Sequence, residues 1–175
     1  MQNTKFAFAP TFVGASANKY IGVIGSRKLP LIYKEKVKKV VRQLLDKGFG
    51  IASGGAVGAD EYALDALLEL NACHRGVIFS AWRDVSQFPV SVREKIKKFL
   101  SLGGEVVWGS IPPSASRSVV VAGLLSRNIR LVLGAAGIVA FPYGESRGTY
   151  YTVRNAEKRN IPVFIFFKNL SFQNF

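Results

Sequence analysis

A chain of 175 residues, 49% of them hydrophobic, is long enough for one domain with a sizeable core and too apolar to be disordered. Its 24 basic and 11 acidic residues leave a net charge of +13, which favours polyanionic partners, nucleic acid foremost, and raises encounter rates with them. Cys73 is the single cysteine, so no intramolecular disulfide is available, as suits a reducing cytoplasm. The N-terminus has no secretory pattern and no stretch reaches about 18 uninterrupted apolar residues, so neither export nor a membrane span is predicted.

Residues 1–19 are irregular in pattern. Phe6, Phe8 and Phe12 suit an edge strand or packing on the core, which makes 1–19 an N-terminal extension and 20–175 a single domain. Tyr20 to Gly25 is a short β-branched run ending in glycine, a buried strand. After a loop, Val37, Val40, Val41, Leu44 and Leu45 recur at helical spacing, with Lys34, Lys38, Lys39 and Arg42 mostly on the other face, until Gly48 stops the helix. A strand at Phe49–Ala52 leads through glycines into a helix from about Val57 to Leu70. Further strands are predicted at Gly76–Phe79, Glu105–Trp108, Gly137–Phe141 and Ile161–Phe167, with helices at about Arg93–Leu102, Ser116–Leu133 and Thr149–Arg159. The continuous apolar run Val163–Phe167 predicts a strand covered on both faces. Strands alternating with helices predict an α/β, Rossmann-like, open and mostly parallel sheet with helices on both faces. Its ligands bind beyond the carboxyl ends of the strands, where the winding reverses.

Three strand-to-helix turns carry the chemistry. In the first, Gly25 allows a sharp turn, Ser26 offers a hydroxyl and Arg27 a bidentate phosphate contact. The second reads Ser53-Gly54-Gly55-Ala56-Val57-Gly58-Ala59-Asp60. Glycines between a strand and a helix leave N–H groups free at the positive end of a helix dipole, an anion site suited to phosphate. The spacing fits neither the dinucleotide fingerprint nor a P-loop. Ser53 and the amides around Gly54, Gly55 and Gly58 form the expected cradle, and Asp60 either caps the helix or holds a ribose hydroxyl. In the third, Gly144 and Gly148 bracket Glu145, Ser146 and Arg147, and Thr149 is placed as an N-cap or phosphate donor. Arg127, beside Asn128, lies in an apolar helix, where an unpaired buried guanidinium is costly. It pairs with a carboxylate or with a ligand phosphate.

No metal or cofactor set emerges. His74 is the only histidine, and Cys73 and His74, as neighbours on an extended segment, point to opposite faces, which is unfit for a catalytic dyad. Asp60, Asp84, Glu105 and Glu145 are the carboxylates expected near the ligand edge, Glu145 being the best of weak general-base candidates. Tyr143, Tyr150 and Tyr151 are candidates to stack bases, and the basic helix Lys34–Lys47 to extend an electrostatic track.

With these loops placed, the chain resembles the SLOG superfamily of Rossmann-like nucleotide-binding proteins from about Tyr20 to Phe167. Ile24-Gly25-Ser26-Arg27 resembles the turn that opens the DprA/Smf core domain. Ser53–Asp60 resembles both the DprA segment and that of the YspA/YpsA-related branch, and Ser126-Arg127-Asn128 with Ile129-Arg130 resembles their Arg-Asn-Arg segment. Gly144–Thr149, Ala156 and Asn160–Val163 resemble their last glycine loop, helix and strand. The DprA resemblance implies a module that binds single-stranded DNA without chemistry, with a homodimer as an available state. The YspA resemblance implies an enzyme or sensor for a small nucleotide derivative. The related LOG phosphoribohydrolases carry a glutamate shortly after the loop threonine. Here Tyr150, Tyr151 and Thr152 follow Thr149, which disfavours hydrolysis. The length also leaves no room for the extra helical or winged-helix domains of many DprA proteins, so nucleic-acid binding is expected ahead of recombinase loading.

Overall fold

The computed structural model describes residues 20–166. Six strands, β1 (Tyr20–Gly25), β2 (Gly50–Ser53), β3 (Gly76–Phe79), β4 (Glu105–Val107), β5 (Gly137–Phe141) and β6 (Val163–Ile165), form one sheet in the order β4-β3-β2-β1-β5-β6. Every pairing is parallel. The helices are α1 (Lys34–Asp46), α2 (Ala59–Glu69), α3 (Val90–Ser101), α4 (Arg117–Leu133) and α5 (Arg147–Glu157). This is the expected Rossmann-like α/β architecture.

Strand alternation divides the interior in two. Ile21, Val23, Ile51, Ile78, Val139 and Phe141 join Val37, Leu44, Leu64 and Phe99 of α1–α3 in one core. Ile24, Ala52, Val77, Ile138 and Ala140 face Leu131 and Val132 of α4 and Val153 and Ala156 of α5 in the other. The chain winds outward from β1 to β4, and α4 carries it back across to β5 on the far side of β1. The winding therefore reverses between β1 and β5, and a crevice opens beyond their carboxyl ends.

Several boundaries differ from the sequence expectation for physical reasons. Helix α3 starts at Val90 because the Pro89 carbonyl already accepts from the Val92 and Arg93 amides. Helix α5 starts at Arg147, so Thr149 is not its N-cap; that place belongs to Ser146, in the left-handed region at φ 26°. Strand β6 is an edge strand with only β5 beside it, and its residues are half-buried rather than covered on both faces. Cys73–Arg75 forms a short 3-10 turn rather than an extended segment. The Phe6, Phe8 and Phe12 expectation and the Phe167 strand end lie outside the described residues. Among the described residues, no helix is long and apolar enough to cross a membrane.

Candidate nucleotide and nucleic-acid site

Ser26 joins the three loops. Its amide donates to the Phe141 carbonyl at the end of β5 (3.0 Å), and its carbonyl accepts from Leu29 (3.2 Å) and from Ala59 at the start of α2 (3.3 Å). Its hydroxyl oxygen accepts from the Lys28 amide at 3.1 Å. The loop after β1 is thereby tied to the neighbouring strand and to the next helix, and Arg27 and Lys28 are left exposed at the crevice. Gly58 lies under this loop at φ +80°, where a Cβ would come within 2.4 Å of the Ser26 carbonyl oxygen, so only glycine fits.

The second loop is braced from within. Asp60 in the first turn of α2 accepts from the Gly54 amide (3.0 Å) and the Ala56 amide (3.3 Å) through Oδ2. Those two amides are engaged by a carboxylate, and Ala59 by Ser26. The same Oδ2 lies 3.6 Å from Arg127 Nη1, and both side chains are buried. Desolvation pushes the Asp60 carboxyl above its ordinary range, while Arg127 and the two amides pull it down; desolvation likewise lowers the Arg127 guanidinium. The separation exceeds a hydrogen bond, and Arg127 Nε has no hydrogen-bond partner among the described residues. Gly54 is required by this arrangement, since a Cβ there would sit 1.2 Å from Arg127 Nη1.

The third loop closes the crevice. Phe141 ends β5 fully buried and stacks on Phe166 at 4.7 Å. Ser146 donates to the Thr149 hydroxyl (2.7 Å), and Thr149 is buried in the first turn of α5. The three loops enclose a cavity of about 540 Å³. Around it lie Gly25, Ser26, Arg27, Asp60, Arg127, Asn128, Gly144, Glu145, Ser146, Gly148 and Thr149 among the expected residues. Ile24, Lys28, Ala56, Tyr143, Arg147 and Thr152 complete the wall. Gly54 and Gly55 line an adjoining cavity of about 220 Å³, while Ser53 and Gly58 line neither and support the loop from below.

A model of the DNA recombination-mediator protein A family matches residues 12–174. The chain belongs to that family. The DprA fold is also found in solved structures. DNA processing protein A from Helicobacter pylori, described for its single-stranded DNA binding mode, superposes with a TM-score of 0.67 at 21% identity, over 83% of this chain and 64% of that one. DprA from Streptococcus pneumoniae superposes with a TM-score of 0.67 at 20% identity, over 87% and 53%. The chain thus spans less than two thirds of the length of either DprA structure. No curated protein matches the sequence.

Other expected residues of this DprA-family chain take different places. Glu105 begins β4, so it lies at the opposite edge of the parallel sheet from the crevice. Asp84 caps a short turn after β3, accepting from the Ser86 amide (2.8 Å) and the Ser86 hydroxyl, which holds its carboxyl below the ordinary range. Glu145 is 85% exposed and 3.4 Å from an equally exposed Arg147, an ion pair of little strength. Cys73 is buried, which pushes its thiol up, and His74 is exposed. No metal-ligating cluster occurs among the described residues. Arg130 serves the fold, donating to the Trp108 and Ser80 carbonyls beyond β4 and β3. In α1, Lys34 pairs with Asp65 (2.7 Å) and Lys38 with Glu69 (2.6 Å), so its basic face is partly neutralised by α2. Tyr143 lines the cavity, 6.2 Å from the Tyr33 ring; Tyr150 and Tyr151 line neither cavity. The DprA resemblance did not point to Trp82, which lines the smaller cavity. Its position just beyond the carboxyl end of β3 was the available signal.

Proposed function

We propose that this chain binds single-stranded nucleic acid across the carboxyl edge of its sheet, with phosphate held in the crevice between β1 and β5. One observation carries the reading: Arg27, Lys28, Arg127 and Arg147 gather with the N-terminal turn of α5 around one cavity in a chain of net charge +13. The first amides of a helix have no intrahelical partner and lie at its positive end, so that turn suits a phosphate. Because Asp60 occupies the Gly54 and Ala56 amides, the phosphate contacts fall to Arg27, Arg127 and the third loop. The DprA from Helicobacter pylori, described as binding single-stranded DNA, supports the choice of strand. Binding is proposed without catalysis, since Asp60 is engaged in the fold and Glu145 stands in solvent. We also place the protein in the cytoplasm, and as a homodimer, for which the exposed Val119 and Val121 of α4 offer apolar surface.

Anisotropy of a labelled single strand, titrated at several salt concentrations, tests the reading. Three or four neutralised phosphates give a log–log salt slope of about −2 to −3. No binding at low salt refutes it. A cavity of about 540 Å³ also has the size of a small-molecule site, which favours a sensor or enzyme for a nucleotide derivative as the second reading. A thermal shift with a mononucleotide, together with no oligonucleotide binding, would select it.

A further inference from the structure

Past Arg27 and Lys28 the loop after β1 rises into a crest. Leu29 is buried at its foot, and the Leu29 carbonyl accepts from the Tyr62 hydroxyl of α2 at 2.9 Å. A 3-10 turn, Leu31–Tyr33, follows, closed by the Tyr33 amide donating to the Pro30 carbonyl at 3.0 Å. On this pinned turn Leu31 is 71% exposed and Ile32 83%. Single apolar residues scattered on a surface need no explanation, but two neighbours held out on a braced turn form a patch. The surroundings of the patch narrow what can cover it. Tyr33 of the same turn lies 6.2 Å from the ring of Tyr143, which lines the phosphate crevice, so the crest stands on the crevice rim. Arg27, Lys28 and Lys34 are the charged residues from 25 to 34, with no carboxylate among them. A second copy would set these cations against their own kind, whereas a polyanion suits them. Leucine and isoleucine are among the side chains that proteins lay against the faces of base pairs.

We propose that the Leu31–Ile32 crest caps the end of a duplex from which the bound single strand emerges, so that the preferred ligand is a junction between single strand and duplex. This rests on the nucleic-acid reading above. The unpaired strand enters the crevice, and the last base pair of the duplex lies against Leu31 and Ile32 at its rim. That pair presents a flat apolar face, broader than one base, which two adjacent aliphatic side chains can cover. The patch carries no charge, so it adds affinity by apolar contact and leaves the phosphates to the cations beside it.

Anisotropy on the full chain compares a single strand, a hairpin that carries this strand as a tail of either polarity, and the hairpin without its tail. The proposal predicts that the tailed hairpin of one polarity binds about 10-fold tighter than the strand, the low end of what half-covering two aliphatic side chains supplies. A fluorescent purine in the base pair next to the tail should change its emission on binding. Leu31→Ser with Ile32→Ser is an uncharged change at exposed positions. It should remove both the preference and the emission change and leave single-strand affinity at the parent value. Leu31→Ile with Ile32→Leu should keep both. Equal affinity for strand and tailed hairpin, a preference that survives the serine changes, or equal binding of the untailed hairpin overturns the cap and leaves strand binding standing. Sedimentation with phosphatidylglycerol vesicles that the serine changes abolish, without a junction preference, overturns it in favour of a lipid surface. Failure of both strand and tailed hairpin to bind at low salt overturns the nucleic-acid reading, and the cap with it.

Discussion

Replacing Asp60 by alanine removes the brace of the second loop in one step. The carboxylate is buried, accepts from two loop amides and lies 3.6 Å from a buried guanidinium. Its loss leaves Arg127 uncompensated, and removing one partner of a buried pair costs about 3–5 kcal/mol. The stranded Gly54 and Ala56 amides add to this, at about 1–3 kcal/mol each where water cannot reach them, but the three losses share one network and do not sum. The expected cost is therefore about 3–5 kcal/mol, which for a chain of this size lowers Tm by roughly 6–20 °C. Urea denaturation of Asp60→Ala, Arg127→Met and the double variant measures it. The double variant should be more stable than Asp60→Ala alone, because no charge is left stranded. An Asp60→Ala protein within about 1 kcal/mol of the parent, or a double variant that loses at least the sum of the two single losses, would refute the reasoning. The pH dependence has a defined sign. Burial holds the folded carboxyl above 3.8, so protonated Asp60 favours the fold. That contribution is complete below 3.8 and is lost as pH rises through the folded value. Asp60→Asn should lack the decline.

Gly54→Ala places a methyl 1.2 Å from Arg127 Nη1, and should displace the guanidinium, cost about 1–3 kcal/mol in denaturant and abolish oligonucleotide binding. Arg27→Ala, at an exposed position, should leave stability within about 0.5 kcal/mol of the parent, weaken strand binding and flatten the salt slope by about 1. The Asp84 carboxyl, lowered by Ser86, should titrate below 3.8 by carbon NMR and return toward that value in Ser86→Ala. Its contribution to stability is present above 3.8 and is lost as pH falls through the folded value.

The sheet and its glycine loops were legible because short β-branched runs end in glycine or polar turns, and these bound β1, β3 and β5 to the residue. Arg127 was legible as a guanidinium in an apolar helix. Its partner Asp60 was not, because the pairing depends on α4 crossing the sheet to meet the start of α2. For the same reason the glycine motif read as a free phosphate cradle when two of its amides serve Asp60. Glu105 does not reach the ligand edge because it opens its strand, and the first residue of a parallel strand lies at the end away from that edge. Glycine served as the mark of a ligand loop, and the segment from Ser80 to Pro89 contains none, which hid Trp82. The exposed half of α4 escaped as well, since an apolar helical pattern states what can be buried and not what lies opposite.

The most direct test of the central claim is the affinity for a single-stranded oligonucleotide as a function of salt, measured on the parent and on Arg27→Ala side by side. The crevice between β1 and β5 as a phosphate site predicts binding at low salt, a slope of about −2 to −3 and a slope shallower by about 1 in the variant. Absence of binding at low salt, or a slope unchanged by the loss of Arg27, would contradict it.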